Sequence, residues 1–357
     1  MHGLLLQGTE QIEFHRDLPE PVIESATDVI VRVERAGICG SDLHQYHGRE
    51  QVAPATIPGH EFCGEVVAAG ADVRRWRVGE RVFSPFTTCC GGCFFCRSGL
   101  SARCDRGQLF GYREPGSQPN SGGLHGAQAE LVRVPLADHT LMAMPEPLSA
   151  AEAILLGDNF TTGYYCASRG QIDPAGVTVV IGCGAVGLSA IVAARFLGAE
   201  QIVAVDLVTE RRRRAAQLGA TAVSPDEAAD TVKSQASRDG RGGADTILEA
   251  VGLPPAQQLS FSLVRPGGTI SSVGVPSTDR FAFSPVDAYD RNLVFAAGRC
   301  PVRSCLDLLL PEIQAGRLTI PVAQIVTEEA VPLAAGAEAY RRFASRSQDC
   351  VKLLLQP

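Results

Sequence analysis

Residues 177–190 read VTVVIGCGAVGLSA and contain the glycine pattern Gly182-x-Gly184-x-x-Gly187. A short run of apolar β-formers precedes the first glycine and a run with helical character follows the second, so the pattern joins a predicted strand to a predicted helix. Gly182 permits the tight turn, Gly184 lets a ligand approach the backbone, and Gly187 lets helix pack on strand. Because free N–H groups at a helix N-terminus favour an anion, the turn predicts a site for a dinucleotide diphosphate.

An acidic residue, Asp206, ends the next predicted strand, QIVAVD, 19 positions after Gly187. A carboxylate there accepts hydrogen bonds from an adenosine ribose and repels a 2′-phosphate, so we predict NAD rather than NADP as the cofactor. The basic run Arg211–Arg214 is interpreted mainly as a solvated helix face, with Arg211 flanking the adenosine.

Strands and helices alternate around this turn. VTVVIG, QIVAVD and TILEAVG have the character of buried strands, and AVGLSAIVAARFLGA and TERRRRAAQLGA that of helices. This alternation is typical of βαβ units with a parallel sheet. The earlier stretches, such as VIVRVERAGI and HEFCGEVVAAG, are instead β-rich and punctuated by glycine and proline. We therefore predict an α/β protein in which a dinucleotide-binding domain, 158–297, is inserted between a β-rich segment, 1–157, and its continuation, 298–357.

Composition narrows the functional class. The 357 residues are 45% hydrophobic and 20% charged, which is ordinary for a globular protein, and the net charge of −7 gives no general reason to bind nucleic acid or an anionic membrane. The N-terminus has only three consecutive leucines, and no run approaches the roughly 18 apolar residues of a membrane span. We expect a cytoplasmic protein, in which the twelve cysteines are more suited to metal than to disulfides.

A loop with four evenly spaced cysteines is the second strong pattern. The segment CGGCFFCRSGLSARC has the spacing C-x2-C-x2-C-x7-C and comprises Cys90, Cys93, Cys96 and Cys104. Four thiolates suit a closed, tetrahedral zinc site that stabilises an irregular loop and leaves no position for substrate. A [4Fe–4S] cluster competes with this interpretation, but the longer last spacing and the absence of a proline after Cys104 favour zinc. The adjacent Cys89 is interpreted as a spare thiol.

Further metal-ligand types occur in GICGSDLH (37–44) and GHE (59–61). Together with GHEFCGEV, the four-cysteine loop, TTGYY and GCGAVG, these motifs make the chain similar to the zinc-containing medium-chain alcohol dehydrogenases over essentially its whole length. The resemblance implies a GroES-like, β-rich catalytic domain with an inserted Rossmann domain.

The resemblance also implies a set of catalytic metal ligands. Cys39 and His60 match two zinc ligands of the family, and Asp158 matches the third, which is cysteine in some members and aspartate in others. Glu61 matches a glutamate that can enter the coordination sphere during ligand exchange. Asp42 matches a carboxylate that orients the metal-bound histidine.

Other matched positions handle the proton, the substrate and the cofactor. Ser41 matches the hydroxyl that takes the proton of the alcohol, His44 matches the outer end of that relay, and Phe86 matches a side chain of the substrate pocket. The positions expected to contact the cofactor beyond the three glycines, Asp206 and Arg211 are Ala185, Val186, Thr162, Val251, Val273 and Val275.

By resemblance, the chain is a zinc-dependent oxidoreductase that transfers hydride between an alcohol and NAD(H). It would hold two zinc ions per chain, one catalytic and one structural, and form a homodimer or homotetramer. One alternative is a formaldehyde dehydrogenase or dismutase with tightly held NAD, which the segments 122–141 and 298–303 resemble. A polyol- or threonine-type dehydrogenase is another alternative, whereas a zinc-independent reductase and a non-enzymatic binding protein are disfavoured. The identity of the substrate is not predicted.

Overall fold

The computed structural model describes residues 1–117, 122–236, 240, 242–345 and 350–357. Within these residues the strands, in chain order, are β1 (Gly3–Gly8), β2 (Gln11–His15), β3 (Val29–Ile38), β4 (Phe62–Ala69), β5 (Arg81–Ser84), β6 (Tyr112–Arg113), β7 (Gly123–Leu124), β8 (Leu131–Val134), β9 (Met142–Ala143), β10 (Val177–Ile181), β11 (Gln201–Val205), β12 (Thr221–Val223), β13 (Ala244–Glu249), β14 (Val264–Ser272), β15 (Val294–Ala297), β16 (Glu328–Pro332) and β17 (Leu353–Gln356). The α-helices are α1 (Asp42–Tyr46), α2 (Phe94–Arg97), α3 (Ala137–Thr140), α4 (Ala150–Gly157), α5 (Asn159–Ser168), α6 (Ala185–Phe196), α7 (Thr209–Gln217), α8 (Pro225–Ala236), α9 (Pro254–Leu263), α10 (Pro285–Asp290), α11 (Val302–Gln314), α12 (Val322–Ile325) and α13 (Gly336–Ala344).

The chain divides into two compact units. The first comprises Met1–Asp158, Pro301–Pro311 and Val326–Pro357, and the second comprises Asn159–Cys300 and Glu312–Ile325. Among the described residues, no helix combines the length and the apolar character needed to cross a membrane.

The first unit is built on a seven-stranded sheet. Its order is β16-β17-β3-β4-β5-β9, with β8 also paired to β3, and every pair except β16–β17 is antiparallel. The central strand β3 alternates inward-facing valines with polar residues, and these valines lie in a core with Phe62, Trp76 and Phe110. The alternation explains why VIVRVERAGI forms a strand with one face toward the core.

The second unit is a parallel sheet flanked by helices. Its six strands have the order β12-β11-β10-β13-β14-β15 and all pairs are parallel. The residues of β10 and β13 are buried throughout, as expected for strands covered on both faces by helices. After β10 the chain adds β11 and β12 on one side and then β13, β14 and β15 on the other. The carboxyl ends of β10 and β13 therefore flank the crevice in which such sheets bind ligands. The predicted α/β fold, with a β-rich GroES-like part and a Rossmann part, is confirmed.

Two local features differ from the sequence predictions. Residues 312–325 lie within the predicted continuation 298–357 but belong to the second unit, where the backbone oxygen of Gln324 accepts a hydrogen bond from Arg214 at 3.0 Å. The basic run on α7 is also less solvated than predicted, because Arg213 is its only exposed arginine. Arg212, for example, donates to the backbone oxygen of Asp206 at 2.8 Å.

Candidate active site

Four side chains with metal-ligating atoms converge in the first unit. They are Cys39, His60, Glu61 and Asp158, and their ligand atoms all lie within 4.8 Å of one another. Cys39 follows the end of β3, His60 and Glu61 precede β4, and Asp158 caps the C-terminus of α4. Because β3 and β4 are neighbours in the sheet and α4 packs on both, three separate segments deliver their side chains to one point. The structure thus brings together all three predicted ligands and the predicted neighbouring glutamate.

Asp42 fixes the orientation of His60. The Nδ1 atom of His60 lies 3.0 Å from Oδ1 of Asp42, and Oδ2 of Asp42 accepts a hydrogen bond from the backbone N–H of Cys39 at 2.9 Å. When Nδ1–H donates to this carboxylate, the Nε2 lone pair is directed to the cluster, where Nε2 lies 3.4 Å from Oδ2 of Asp158. The geometry is the one expected for a histidine prepared to bind a metal.

Ser41 and Phe86 border the same cluster. The hydroxyl oxygen of Ser41 lies 3.3 Å from Nε2 of His60, and the Phe86 ring meets the His60 ring edge-on with 6.2 Å between centroids. His44 lies on α1, one turn beyond Ser41, and its side chain is half-buried. Burial lowers the pKa of His44 below its ordinary value, and the nearby Arg49 adds to this effect.

Burial and neighbouring charges shift the pKa values of the side chains in the cluster. Burial works against protonation of His60, but the carboxylates of Asp42 and Asp158 outweigh it and hold the pKa of His60 well above 6.5. Burial likewise works against ionisation of Asp158, but the hydrogen bond with His60 and the charges of His60 and Lys352 together outweigh it and lower the pKa of Asp158. Burial raises the pKa of Cys39, and the carboxylates of Asp158 and Glu61 raise it further, so the thiol donates to Oδ2 of Asp158 at 3.3 Å.

This donor set fits a zinc ion. A thiol, an imidazole and a carboxylate, each less than a tenth exposed, are the ligand types that zinc takes in proteins. Anionic groups buried this close to one another are unfavourable unless a cation compensates for them. Three protein ligands would leave one position of a tetrahedral site for another molecule, as in catalytic zinc sites.

A buried ion pair beside the cluster was missed by the sequence reasoning. Nζ of Lys352 bonds Oε2 of Glu61, and the two side chains are 1% and 0% exposed. Lys352 precedes β17 within the apolar run CVKLLL, and this single charge among apolar residues was the available signal. Burial raises the pKa of Glu61 to about 7, although Lys352 opposes the shift.

The predicted cysteine loop also closes into a cluster. The sulfur atoms of its four cysteines lie within 4.8 Å of one another. Backbone N–H groups donate to these sulfurs, for example Cys93 N–H to Cys90 Sγ at 3.3 Å and Cys90 N–H to Cys104 Sγ at 3.2 Å. Burial works against ionisation of Cys90, but the backbone N–H groups of Gly92 and Cys93 lower its pKa to about 6. Cys89 stands apart and donates to the backbone oxygen of His139 at 3.2 Å. This cluster fits a structural zinc ion.

The glycine-rich turn lies in the second unit between β10 and α6, as predicted. Gly182 has a φ of +89°, which favours glycine, and Gly184 is the N-cap of α6. Asp206 directly follows β11, and its carboxylate accepts the backbone N–H groups of Cys183 at 2.7 Å and of Val208 at 2.8 Å. The acidic residue is thereby fixed beside the turn. Ala185 and Val186 form the first turn of α6, whose free N–H groups lie there.

A second missed residue, Glu249, shapes the rest of this crevice. Its Oε1 accepts the backbone N–H groups of Val251 and Gly252, both at 2.7 Å, and its Oε2 accepts the hydroxyl of Ser272 at 2.6 Å. Val273 donates its N–H to the backbone oxygen of Glu249 at 3.0 Å. Glu249 therefore holds two of the predicted cofactor contacts at the ends of adjacent strands, Val251 through its carboxylate and Val273 through its backbone oxygen. The other two predicted contacts also lie in this unit, Thr162 buried on α5 and Val275 49% exposed.

Comparisons with known proteins agree with this geometry. The family model described as Alcohol dehydrogenase GroES-like domain matches residues 25–146, and the one described as Zinc-binding dehydrogenase matches residues 185–298. The chain is 43% identical over 299 residues to the medium chain reductase/dehydrogenase ucsI of Acremonium sp, covering 81% of this chain and 98% of that protein. It is 38% identical over 334 residues to zinc-type alcohol dehydrogenase B of Aspergillus flavus, covering 91% of this chain and 74% of that protein.

A solved structure extends the likeness to the whole chain. The alcohol dehydrogenase TADH from Thermus sp. ATN1 is 36% identical, and it matches 100% of this chain and 99% of that chain with a TM-score of 0.89. The resemblance inferred from the motifs is confirmed. The chain therefore belongs to the zinc-containing medium-chain dehydrogenase/reductase family, as an oxidoreductase of the zinc-type alcohol dehydrogenase kind.

Proposed function

We propose that this enzyme interconverts an alcohol and its aldehyde or ketone with NAD(H) as the hydride carrier. The observation that carries the proposal is the cluster of Cys39, His60 and Asp158, with the hydroxyl of Ser41 3.3 Å from His60. A buried three-donor site beside a hydroxyl relay matches the needs of alcohol oxidation, in which a proton and a hydride leave the same substrate.

Cys39, His60 and Asp158 would hold the catalytic zinc, and the four-cysteine cluster would hold a second, structural zinc. A zinc ion held by the first set would polarise a substrate oxygen and favour its deprotonated form. Asp42 keeps His60 in the tautomer that presents Nε2. One thiolate and one carboxylate balance the charge of a divalent ion, so the site as a whole is formally neutral.

The proton is handled by residues of the chain. The Ser41 hydroxyl lies at the cluster and is placed to accept the proton of the alcohol. His44, half-buried on α1 one turn beyond Ser41, would form the outer end of the proposed relay. Its lowered pKa keeps the imidazole neutral near pH 7, so it is able to accept the proton and release it to water. Phe86 shields the cluster on one side and would line the substrate pocket.

NAD would bind on the glycine-rich turn of the second unit. Gly184 and the N-terminus of α6 would receive the diphosphate, and Asp206 would receive the adenosine ribose, with Arg211 at the adenosine side. Thr162, Val251, Val273 and Val275 would hold the nicotinamide ring. Because Asp206 carries a negative charge, we propose a preference for NAD over NADP.

An assay of purified, zinc-loaded protein tests this function. The protein is mixed with NAD or NADP and with primary, secondary, aromatic and polyol alcohols, and reduced cofactor is followed by absorbance. We expect turnover with NAD and at least one alcohol, and its loss in Cys39→Ser but not in Cys63→Ser, a buried cysteine of the same unit outside the cluster. Absence of turnover with every alcohol, and with every aldehyde and NADH, would overturn the proposal.

The formaldehyde-type alternative makes a different prediction about the cofactor. An enzyme that retains NAD would release it only on denaturation, and would convert formaldehyde to methanol and formate without added cofactor. To separate this alternative from a dehydrogenase that exchanges NAD, the protein is gel-filtered and then denatured, and the nucleotide released is quantified. A dehydrogenase that exchanges NAD is expected to release none. A polyol- or threonine-type enzyme would be identified by its substrate in the alcohol panel.

We further propose that the protein is a homo-oligomer of a reducing compartment such as the cytoplasm. β15 is an edge strand of the second unit's sheet, and the apolar side chains of Tyr289 and Val294 are exposed near it. An exposed edge of this kind is suited to pairing with the same strand of a second copy.

The proposal of a reducing compartment is supported by the cysteines. None of the twelve cysteines, all of which lie in the described residues, forms a disulfide.

A further inference from the structure

The buried pair of Lys352 and Glu61 stands directly behind the proposed catalytic zinc site. β17 runs antiparallel to β3 with Leu353 opposite Ile38, so Lys352 lies opposite Cys39, the residue that follows β3. The lysine is 1% exposed and its ammonium group bonds the Glu61 carboxylate. Both charges are therefore held within the first unit, next to a predicted zinc ligand.

Glu61 is placed to reach the metal. One of its carboxylate oxygens belongs to the set of four ligand atoms that lie within 4.8 Å of one another. While Oε2 bonds Lys352, the carboxyl group of Glu61 also lies beside that of Asp158, a predicted zinc ligand. The Gly37 backbone lies close behind the carboxylate, since a Cβ added to Gly37 would lie only 3.0 Å from Cδ of Glu61. The side chain is thus confined between Lys352 and the cluster.

A buried ion pair is weak evidence for a stabilising role. Replacing such a pair by apolar residues of similar volume is often neutral or stabilising, since both charges must be desolvated. Counting charges suggests another purpose. With Cys39, Asp158 and Glu61 all ionised, a divalent cation leaves one excess negative charge, and Lys352 cancels it.

We propose that Lys352 is a positioning residue that holds Glu61 away from the catalytic metal and so keeps the fourth coordination position open for substrate. The proposal rests on the zinc site of the proposed function. Without the lysine charge, the free carboxylate would become a fourth protein ligand and compete with any incoming molecule. The site would then resemble a closed structural site rather than an open catalytic one.

Imidazole binding to the cobalt-substituted enzyme tests the proposal without cofactor or alcohol. Cobalt(II) replaces the catalytic zinc, and its visible absorption reports the ligands it carries while imidazole is titrated into the open position. We expect Lys352→Met to weaken imidazole binding by about ten-fold or more, comparable with the loss of metal affinity or activity when hydrogen-bond partners of metal ligands are removed. We expect Lys352→Met combined with Glu61→Gln to restore it, because no carboxylate remains to compete.

The double variant separates positioning from a structural role. If Lys352 only supported the fold, the single variant would lose imidazole affinity and the double variant would not recover it, which would overturn the proposal. Unchanged imidazole affinity in Lys352→Met would overturn it equally. Should Lys352→Met fail to fold, Lys352→Gln replaces it, because glutamine keeps a hydrogen-bond donor for Glu61 without the positive charge. Lys352→Gln is expected to lose imidazole affinity, but less than Lys352→Met. Wild-type imidazole affinity in Lys352→Gln would contradict the proposal. Failure of alcohol oxidation with NAD leaves this titration unaffected, so the two proposals fail separately.

Discussion

Replacing Gly184 by alanine is expected to separate cofactor binding from folding. The residue has a φ of −74°, which any amino acid adopts, and a Cβ there meets no atom within 4 Å among the described residues. Alanine restricts the unfolded chain, which favours folding by about 0.4 to 1 kcal/mol, but it is a poorer N-cap than glycine. Because Gly184 is the N-cap of α6, the two effects oppose each other and little net change in stability is expected. The new methyl group would occupy the space that the proposed diphosphate needs, and overpacking typically costs about 1 to 3 kcal/mol. That cost corresponds to NADH binding weakened about 5- to 150-fold.

NADH fluorescence titration and thermal unfolding of the same sample measure both effects. Gly187→Ala is the matched control, since its Cβ would overlap the carbonyl oxygen of Gly182 and lie 2.8 Å from the carbonyl carbon. That variant is expected to lose stability by about 1 to 3 kcal/mol as well as cofactor affinity. If Gly184→Ala folds and binds NADH as tightly as the wild type, the diphosphate does not lie on this turn.

The remaining predictions concern the metals, pH and assembly. Cys39→Ala is expected to lose one of the two zinc ions per chain with little change in the thermal unfolding midpoint, whereas Cys93→Ala is expected mainly to lower that midpoint. Elemental analysis measures the zinc content of both variants, and calorimetry measures their midpoints. Two zinc ions per chain in Cys39→Ala would contradict the assignment of Cys39 as a ligand. Burial and neighbouring arginines lower the pKa of His125 from 6.5 to about 4, so the unfolded chain binds a proton in this window that the folded chain does not. The folded state is therefore expected to lose about 2 kcal/mol through this group between pH 7 and pH 5. Urea unfolding should show a smaller loss in His125→Asn, and equal losses in both proteins would refute this. Val294→Lys on the edge strand is expected to lower the molar mass measured by light scattering. The control Val22→Lys, at a more exposed valine of the first unit, is expected to leave the mass unchanged. An unchanged mass in Val294→Lys would exclude this edge as the interface.

Local patterns predicted most of what is local in this protein. The turn at Gly182 and the strand Val29–Ile38 follow from residue type and spacing, because tight turns and buried strands impose requirements on each position. The three predicted ligands came from family motifs, since Cys39 and Asp158 are 119 positions apart and no periodicity relates them. Their convergence depends on strand pairing between β3 and β4, which residue patterns do not specify.

The residues that were missed act through long-range partners. Lys352 lies 291 positions from Glu61, and only the β17–β3 register brings the two together. Glu249 was included in a predicted strand, but its role in holding the backbone of Val251 arises from a turn beyond the strand end. In each case a charged residue stood within an apolar stretch of the sequence, and that pattern indicates a buried charge with a partner. The partner itself could not be predicted, because tertiary contacts determine which residue it is.

The most direct test of the catalytic site is the rate of NADH formation by three proteins: the wild type, Asp158→Ala and Asp158→Cys. Cysteine supplies another anionic zinc ligand, so Asp158→Cys is expected to retain zinc and measurable turnover. Asp158→Ala is expected to lose turnover by about a hundred-fold or more, because several kcal/mol of metal assistance is lost. NADH formation by Asp158→Ala at the wild-type rate would contradict the assignment of this site as the catalytic centre.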